Sequence, residues 1–280
     1  MRTIHVQELT DNIKQMCILS NHILTDDMQE ALSQASMTEK TSLGKRVLEQ
    51  LVSNLTIAKE EEIPICQDTG MAVIFLEIGQ DIHFEGGAVD IAIQEGVRLG
   101  YQEGYLRKSV VKDPLIRENT NDNTPAVIHY TIVQGDHVSI TVAPKGFGSE
   151  NMSRVWMLKP ADGIDGVREA IYQTVVEAGA NACPPMVVGV GIGGTFEKCA
   201  IMAKKALLRP IGKRSQIPYV AQLESELLDR INESGIGPGG LGGIATALDV
   251  HIDTFPTHIA GLPVAVNICC HVNRHITVVI

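Results

Sequence analysis

Three apolar runs constrain the fold most: MAVIFLEI (71–78), MVVGVGI (186–192) and LPVAVNICC (262–270). They are rich in branched residues and read as strands, and MVVGVGI, with no polar alternation, reads as a buried one. Helical spacing of apolar residues fills much of the rest. Residues 6–60 read as helices, with Val47, Leu48, Leu51 and Leu55 on one face ahead of the charged end KEEE. AVDIAIQEGVRLGYQEGYL, DGIDGVREAIYQTVVEAG, TFEKCAIMAKKALL and YVAQLESELLDRINESG read as further helices. AVIHYTIV and HVSITVA flank QGD, the pattern of a β-hairpin. The order predicts a mixed α/β chain: a helical N-terminal segment (1–60), then mixed or antiparallel sheets with packed helices, as one domain over 1–280.

A chain of 280 residues with 44% apolar and 20% charged residues can bury a sizeable core. Its net charge of −10 argues against nucleic acid, whose phosphates need a basic face. An anionic substrate would need local cations or backbone N–H groups. No apolar run approaches a membrane span, and MRTIHVQELTDNIKQMC lacks the features of a secretory or transit leader, so the expectation is a cytoplasmic protein.

The chain has six cysteines and no C-x-x-C spacing, so neither a disulfide framework nor a zinc ribbon is expected. Cys17 and Cys199 sit in helical apolar stripes and read as small buried hydrophobes. Cys66 in PICQDTG, Cys183 in NACPP, and Cys269 and Cys270 in NICCH lie instead at turns and strand ends. Three thiolates from such positions, if they converge, would suit an iron–sulfur cluster with one iron left open to a substrate oxygen. Gln67, Asp68 and Thr69 add donors and acceptors beside Cys66. GYLRKSVVKDP carries Arg107, Lys108 and Lys112, which is either a solvated basic face or a carboxylate-binding one. Gly146 and Gly148 in PKGFGSEN leave backbone N–H groups open to an anion. His258 in FPTHIAGLP is either a hydrogen-bonded histidine or an acid/base group. Gly189, Gly191 and Gly194 match G-x-G-x-x-G, but no acid lies between Lys198 and Leu223 to hold a ribose, so close packing is the preferred reading over a nucleotide-binding oxidoreductase.

Taken in order, PICQDTGMAV, GYLRKSVVKDP, TPAVIHY, APKGFGSENMS, NACPPMVVGVGIGGTFEK, KKALLRPIG, ESGIGPGGLGG and THIAGLPVAVN-x-x-CHV-x-RH resemble the α subunit of class I, iron–sulfur-dependent fumarate hydratase over essentially the whole chain. The L-tartrate dehydratase α subunit is a close sibling sharing CQDTG and NACPP. HYTIV, PKGFGSENMS and CHV-x-RH look more like the fumarase branch. The resemblance implies a 4Fe–4S cluster held by Cys66, Cys183 and Cys270, the last chosen because the family's ligand directly precedes H-V-x-R-H. It implies substrate contacts from Gln67, Asp68, Arg107 and the backbone near Gly148, and catalytic roles, in proton transfer or positioning, for Asp68 and His258. Two departures stand out: Cys269 beside Cys270, and Gly239 where the family pattern carries glutamine. The implied activity is reversible hydration of fumarate to (S)-malate, a step of the TCA cycle. The resemblance also implies that this chain needs a separate fumarase class I β subunit, in an α2β2 heterotetramer. The alternatives are an L-tartrate or methylfumarate dehydratase α subunit and, more distantly, a non-catalytic iron–sulfur protein.

Overall fold

The computed structural model describes residues 2–280. In chain order its main elements are β1 (Arg2–His5), α1 (Val6–His22), α2 (Asp26–Thr38), α3 (Ser42–Glu60), β2 (Met71–Gly79), β3 (Ile82–Glu85), α4 (Val89–Glu103), β4 (Val127–Val133) and β5 (Val138–Lys145). They continue with α5 (Phe147–Glu150), β6 (Arg154–Leu158), α6 (Gly163–Ala178), β7 (Met186–Gly193), α7 (Phe196–Ala206), α8 (Pro218–Asn232), β8 (Ala247–Phe255), β9 (Leu262–Cys269) and β10 (Ile276–Val279). The fold is mixed α/β, and its residues divide into two compact units, 2–25, 55–147 and 274–280 in the first and 26–54 and 148–273 in the second.

The first unit is built on a four-stranded sheet in the order β10-β5-β2-β4. Leu9, Ile13, Met16 and Cys17 recur at helical spacing on α1, and Ile93, Val97 and Tyr101 on α4, and these pack with Ile74, Leu76, Ile140 and Val142 of the sheet. Cys17 is fully buried, and burial pushes its thiol up to about 12, so it behaves as the apolar filler the helical stripe predicts.

The hairpin reading of AVIHYTIV and HVSITVA does not hold. β4 and β5 do not pair; β2 lies between them, parallel to β4 and antiparallel to β5. The turn after β4 instead closes over the end of β2, whose Gly79 N–H bonds His137 O at 2.9 Å, while Gln80 N–H bonds Val133 O at 2.8 Å. The physical reason lies in β2: Ala72 through Leu76 are all buried, so this strand requires a neighbour on each side, and the mostly exposed β4 suits an edge.

The second unit holds a sheet in the order β6-β9-β7-β8. One face is covered by α6 and α8, through Ile171, Val175, Val220, Leu227 and Ile231 against Val188, Val190, Val250, Ile252, Val264 and Val266. The other carries α7, through Cys199, Met202 and Ala203. That side explains GVGIGG. A Cβ on Gly189 would lie 2.1 Å from Ala203 O, and one on Gly191 would lie 2.1 Å from Cys199 O. The glycines admit the backbone of α7 onto β7, which is the close-packing reading.

β8 is an edge strand whose outer groups are met by charged side chains rather than by another strand. Ile252 N–H donates to Glu224 at 2.7 Å, Arg209 donates to Ile252 O at 3.0 Å, and Arg214 pairs with Asp249. Asp249 is fully buried; burial pushes its carboxyl up, but the His251 and Arg214 side chains and the Gly212 N–H outweigh this and hold it at about 2. A carboxyl depressed on folding stabilises above its unfolded value and loses that contribution as pH falls towards its folded one. Thermal melts should therefore lose stability between about pH 4 and pH 2, by roughly 2 kcal/mol from this group, and Asp249→Asn should remove that component. Gly191→Ala should cost about 1–3 kcal/mol in urea denaturation, because the α7 main chain cannot yield to the added methyl.

Candidate active site

PICQDTG joins α3 to β2 in the first unit. Ile65 is buried and donates its N–H to Asn21 O at 2.9 Å, which fixes the start of the turn. The Cys66 thiol donates to Gln67 Oε1 at 3.2 Å, and its Sγ accepts the Asp68 N–H at 3.4 Å. Both carboxylate oxygens of Asp68 accept main-chain N–H groups: Oδ1 from Gly70 and Oδ2 from Phe147, each at 2.9 Å. The carboxylate is thereby oriented, with lone pairs left over for a ligand. Its own main-chain oxygen takes the guanidinium of Arg274.

The same turn is tied to the segment that carries Arg107. Thr69 Oγ1 donates to Arg107 O at 2.8 Å. Asn123, fully buried, donates to Gly70 O at 3.1 Å and accepts the N–H groups of Ser109 at 2.6 Å and Val110 at 3.2 Å. The Tyr101 hydroxyl reaches Thr69 O at 2.7 Å and Gly70 O at 3.1 Å, and burial raises the phenol so that it stays a donor. The first unit therefore brings together Cys66, Gln67, Asp68 and the backbone of Arg107, with the Gln67 and Arg107 side chains exposed.

In the second unit, Cys183 ends the short turn Gly179–Ala182 with φ of 52° and an exposed side chain. Its carbonyl accepts from His271, from Nδ1 at 2.9 Å and from the main-chain N–H at 3.5 Å, so NACPP and the segment just after Cys270 meet. GIGPGGLGG joins them, because Gly239 N–H donates to Pro184 O at 2.9 Å. Gly239 itself sits at φ 64°, a left-handed position that glycine takes without strain. Cys269 is buried within β9, opposite Val187, whereas Cys270 lies just past the strand and is partly exposed. Contact with Cys269 and burial raise the Cys270 thiol well above its usual value, so ligation there would release a proton.

Gly148 is exposed, and a Cβ there would meet only Asn181 O, at 3.8 Å. The adjoining Glu150 is locked by Lys204 at 2.5 Å and by Asn267 Nδ2 at 2.7 Å. His258 lies in an exposed turn, its Nδ1 accepting the Ala260 N–H at 3.2 Å. Among the described residues no hydrogen bond joins His258 to Cys183 or Cys270.

Among the described residues no disulfide forms, and no three His, Cys, Asp or Glu side chains gather as a single-ion site. Thiols at element ends are the type of donor that suits a soft iron–sulfur centre, and a main-chain N–H is directed at the Cys66 sulfur. A family model described as fumarate hydratase (Fumerase) matches residues 10–279. The chain belongs to the fumarate hydratase family. Members of this family are hydro-lyases. Similar family proteins include the “Putative L(+)-tartrate dehydratase subunit alpha” of Methanocaldococcus jannaschii, 43% identical over 257 residues and 90% of each chain. The L(+)-tartrate dehydratase subunit alpha of Escherichia coli K12 is 31% identical over 98% of this chain and 91% of its own.

Sequence patterns did not single out Tyr101, Asn123 or Glu39, and Arg274 entered only as the R of CHV-x-RH, with no role attached to it. Glu39 holds the N–H groups of Ile244 and Ala245, each at 3.0 Å, at the end of the glycine-rich loop. Their work is with main-chain groups, which leaves no motif; a buried polar residue beside a glycine-rich turn is the one available signal. Asn123→Ala strips three hydrogen bonds from the loop 107–110 and the Gly70 carbonyl. It should cost about 2–3 kcal/mol in denaturant unfolding and speed hydrogen exchange at Ser109 and Val110.

Proposed function

We propose that this chain is the α subunit of an iron–sulfur-dependent hydro-lyase that reversibly adds water to a four-carbon dicarboxylate, fumarate giving (S)-malate, together with a separate β subunit in an α2β2 assembly in the cytoplasm. The observation that carries the reading is the Cys66–Gln67–Asp68 turn, in which a thiol, an amide and an oriented carboxylate share one braced loop. The names of the similar proteins favour L(+)-tartrate at least as strongly, and that is the second reading.

Cys66, Cys183 and Cys270 would hold a 4Fe–4S cluster, which when bound supplies a Lewis acid for the substrate hydroxyl. The remaining chemistry falls to side chains. The exposed Arg107 guanidinium binds a substrate carboxylate in its planar fork. Asp68 accepts a hydrogen bond from a hydroxyl or water through the lone pairs its main-chain donors leave open. In neutral His258 the Ala260 N–H occupies Nδ1, so the ring proton sits on Nε2 and can be donated.

The test is anaerobic turnover of fumarate, (S)-malate and L(+)-tartrate by the chain with its cluster rebuilt, with and without a β subunit. Expected is turnover that requires both chains and is lost in Cys66→Ala, Cys183→Ala and Cys270→Ala. Arg107→Ala should raise KM about 10- to 100-fold. A preference for tartrate would select the second reading; full activity of the chain alone would sink the two-subunit assignment.

A further inference from the structure

Arg274 is a buried cation outside every role assigned above. It is 4% exposed and belongs to the first unit. Its Nε donates to Pro144 O at 3.2 Å and its Nη2 to Asp68 O, so one edge of the guanidinium grips two carbonyls at once. Its Nη1 is buried without a hydrogen-bond partner. Burying a guanidinium with unmet donors is a poor way to gain stability, since neutral or apolar packing would avoid that penalty. The two gripped carbonyls explain its presence. Pro144 lies three residues before Phe147, whose N–H holds Asp68 Oδ2, and Asp68 O lies on the turn whose Gly70 N–H holds Oδ1. The guanidinium thus fixes the two segments that together orient one carboxylate.

We infer that Arg274 is a positioning residue for Asp68: it sets the spacing between the PICQDTG turn and the end of β5, and through them the direction of the Asp68 carboxylate. This rests on Asp68 belonging to the proposed site. A planar fork is required, because an ammonium is a point donor and cannot hold two carbonyls in a fixed relation. Arg274→Lys, which keeps the charge, should therefore fail to restore the geometry.

Two readouts test this on the full chain. The first is amide hydrogen exchange, which needs no substrate. Arg274→Lys should speed exchange at Gly70 and Phe147 about tenfold while leaving Ile74 and Leu76 of β2 unchanged. Uniform acceleration through β2, or none, would overturn the inference in favour of a general structural role. The second uses the assembled enzyme with its cluster rebuilt. Arg274→Lys should lower kcat on the order of 10²-fold with KM nearly constant, the scale of a misplaced reacting group. In an Asp68→Asn background the same change should alter kcat by less than about threefold, because the residue acts through Asp68. Equal losses in both backgrounds would overturn it. If Arg274→Lys does not assemble, Arg274→Gln and Arg274→His replace it, and failure of all three assigns Arg274 to stability alone. Absence of turnover by the unaltered assembly would count against the hydro-lyase reading, and the exchange data would still decide the role of Arg274.

Discussion

A turn that leaves a helix and enters a central strand carries main-chain polar groups that no ladder satisfies, and each one buried bare costs roughly 1–3 kcal/mol. PICQDTG meets this constraint with side chains from distant parts of its unit. Tyr101 and Asn123 take the carbonyls of Thr69 and Gly70, Thr69 ties back to Arg107 O, and Arg274 takes Asp68 O. The Asp68 carboxylate satisfies N–H groups on both sides of itself. The same bonds that satisfy the turn also orient the Asp68 carboxylate, so the folding of the turn and the direction of that side chain are one problem here.

The elements legible in the sequence were those whose burial is carried by apolar residues at a regular period. MAVIFLEI, MVVGVGI and LPVAVNIC became β2, β7 and β9, and the helical stripes became α1, α4, α6, α7 and α8. ALDVHIDTF was not read as a strand because its Asp249 and His251 interrupt the apolar pattern. Both are buried in β8, and His251 lies 3.0 Å from Asp249, a pairing that only the fold reveals. The false hairpin fails for a related reason: turn chemistry reports on a reversal of the chain, whereas strand order is settled by which strand needs two neighbours. Of the candidate site, the residues proposed to carry chemistry were visible by type. The main-chain contacts of Asn123, Glu39 and Arg274 were not, because a buried main-chain group leaves no trace in the sequence; Arg274 was visible only as the R of CHV-x-RH.

The glycines of GVGIGG show how one pattern serves different physics. In a dinucleotide fold such glycines let a cofactor approach the backbone. Here the approaching body is α7, and the carbonyls of Cys199 and Ala203 occupy the space where side chains of β7 would stand. The missing ribose acid was the discriminating clue, since packing makes no demand on residues further along the chain.

The sequence left the roles of Asp68 and His258 open between proton transfer and positioning. Hydrogen bonding distinguishes the two side chains by direction and leaves that choice of role to the proposed function. Asp68, with a main-chain donor on each oxygen, presents acceptor lone pairs from a fixed carboxylate. Neutral His258, with Nδ1 already accepting, presents a donor at Nε2. A hydration needs an acceptor for the hydrogen of the water or hydroxyl and donors for developing negative charge, and it is only under the function proposed above that Asp68 takes the first role and His258 the second. An amide at position 68 would keep one acceptor oxygen but set an NH2 group against either the Gly70 or the Phe147 N–H. Asp68→Asn therefore disturbs orientation and acceptor capacity together, and only a comparison with a variant that moves the turn while sparing the carboxylate can tell those effects apart.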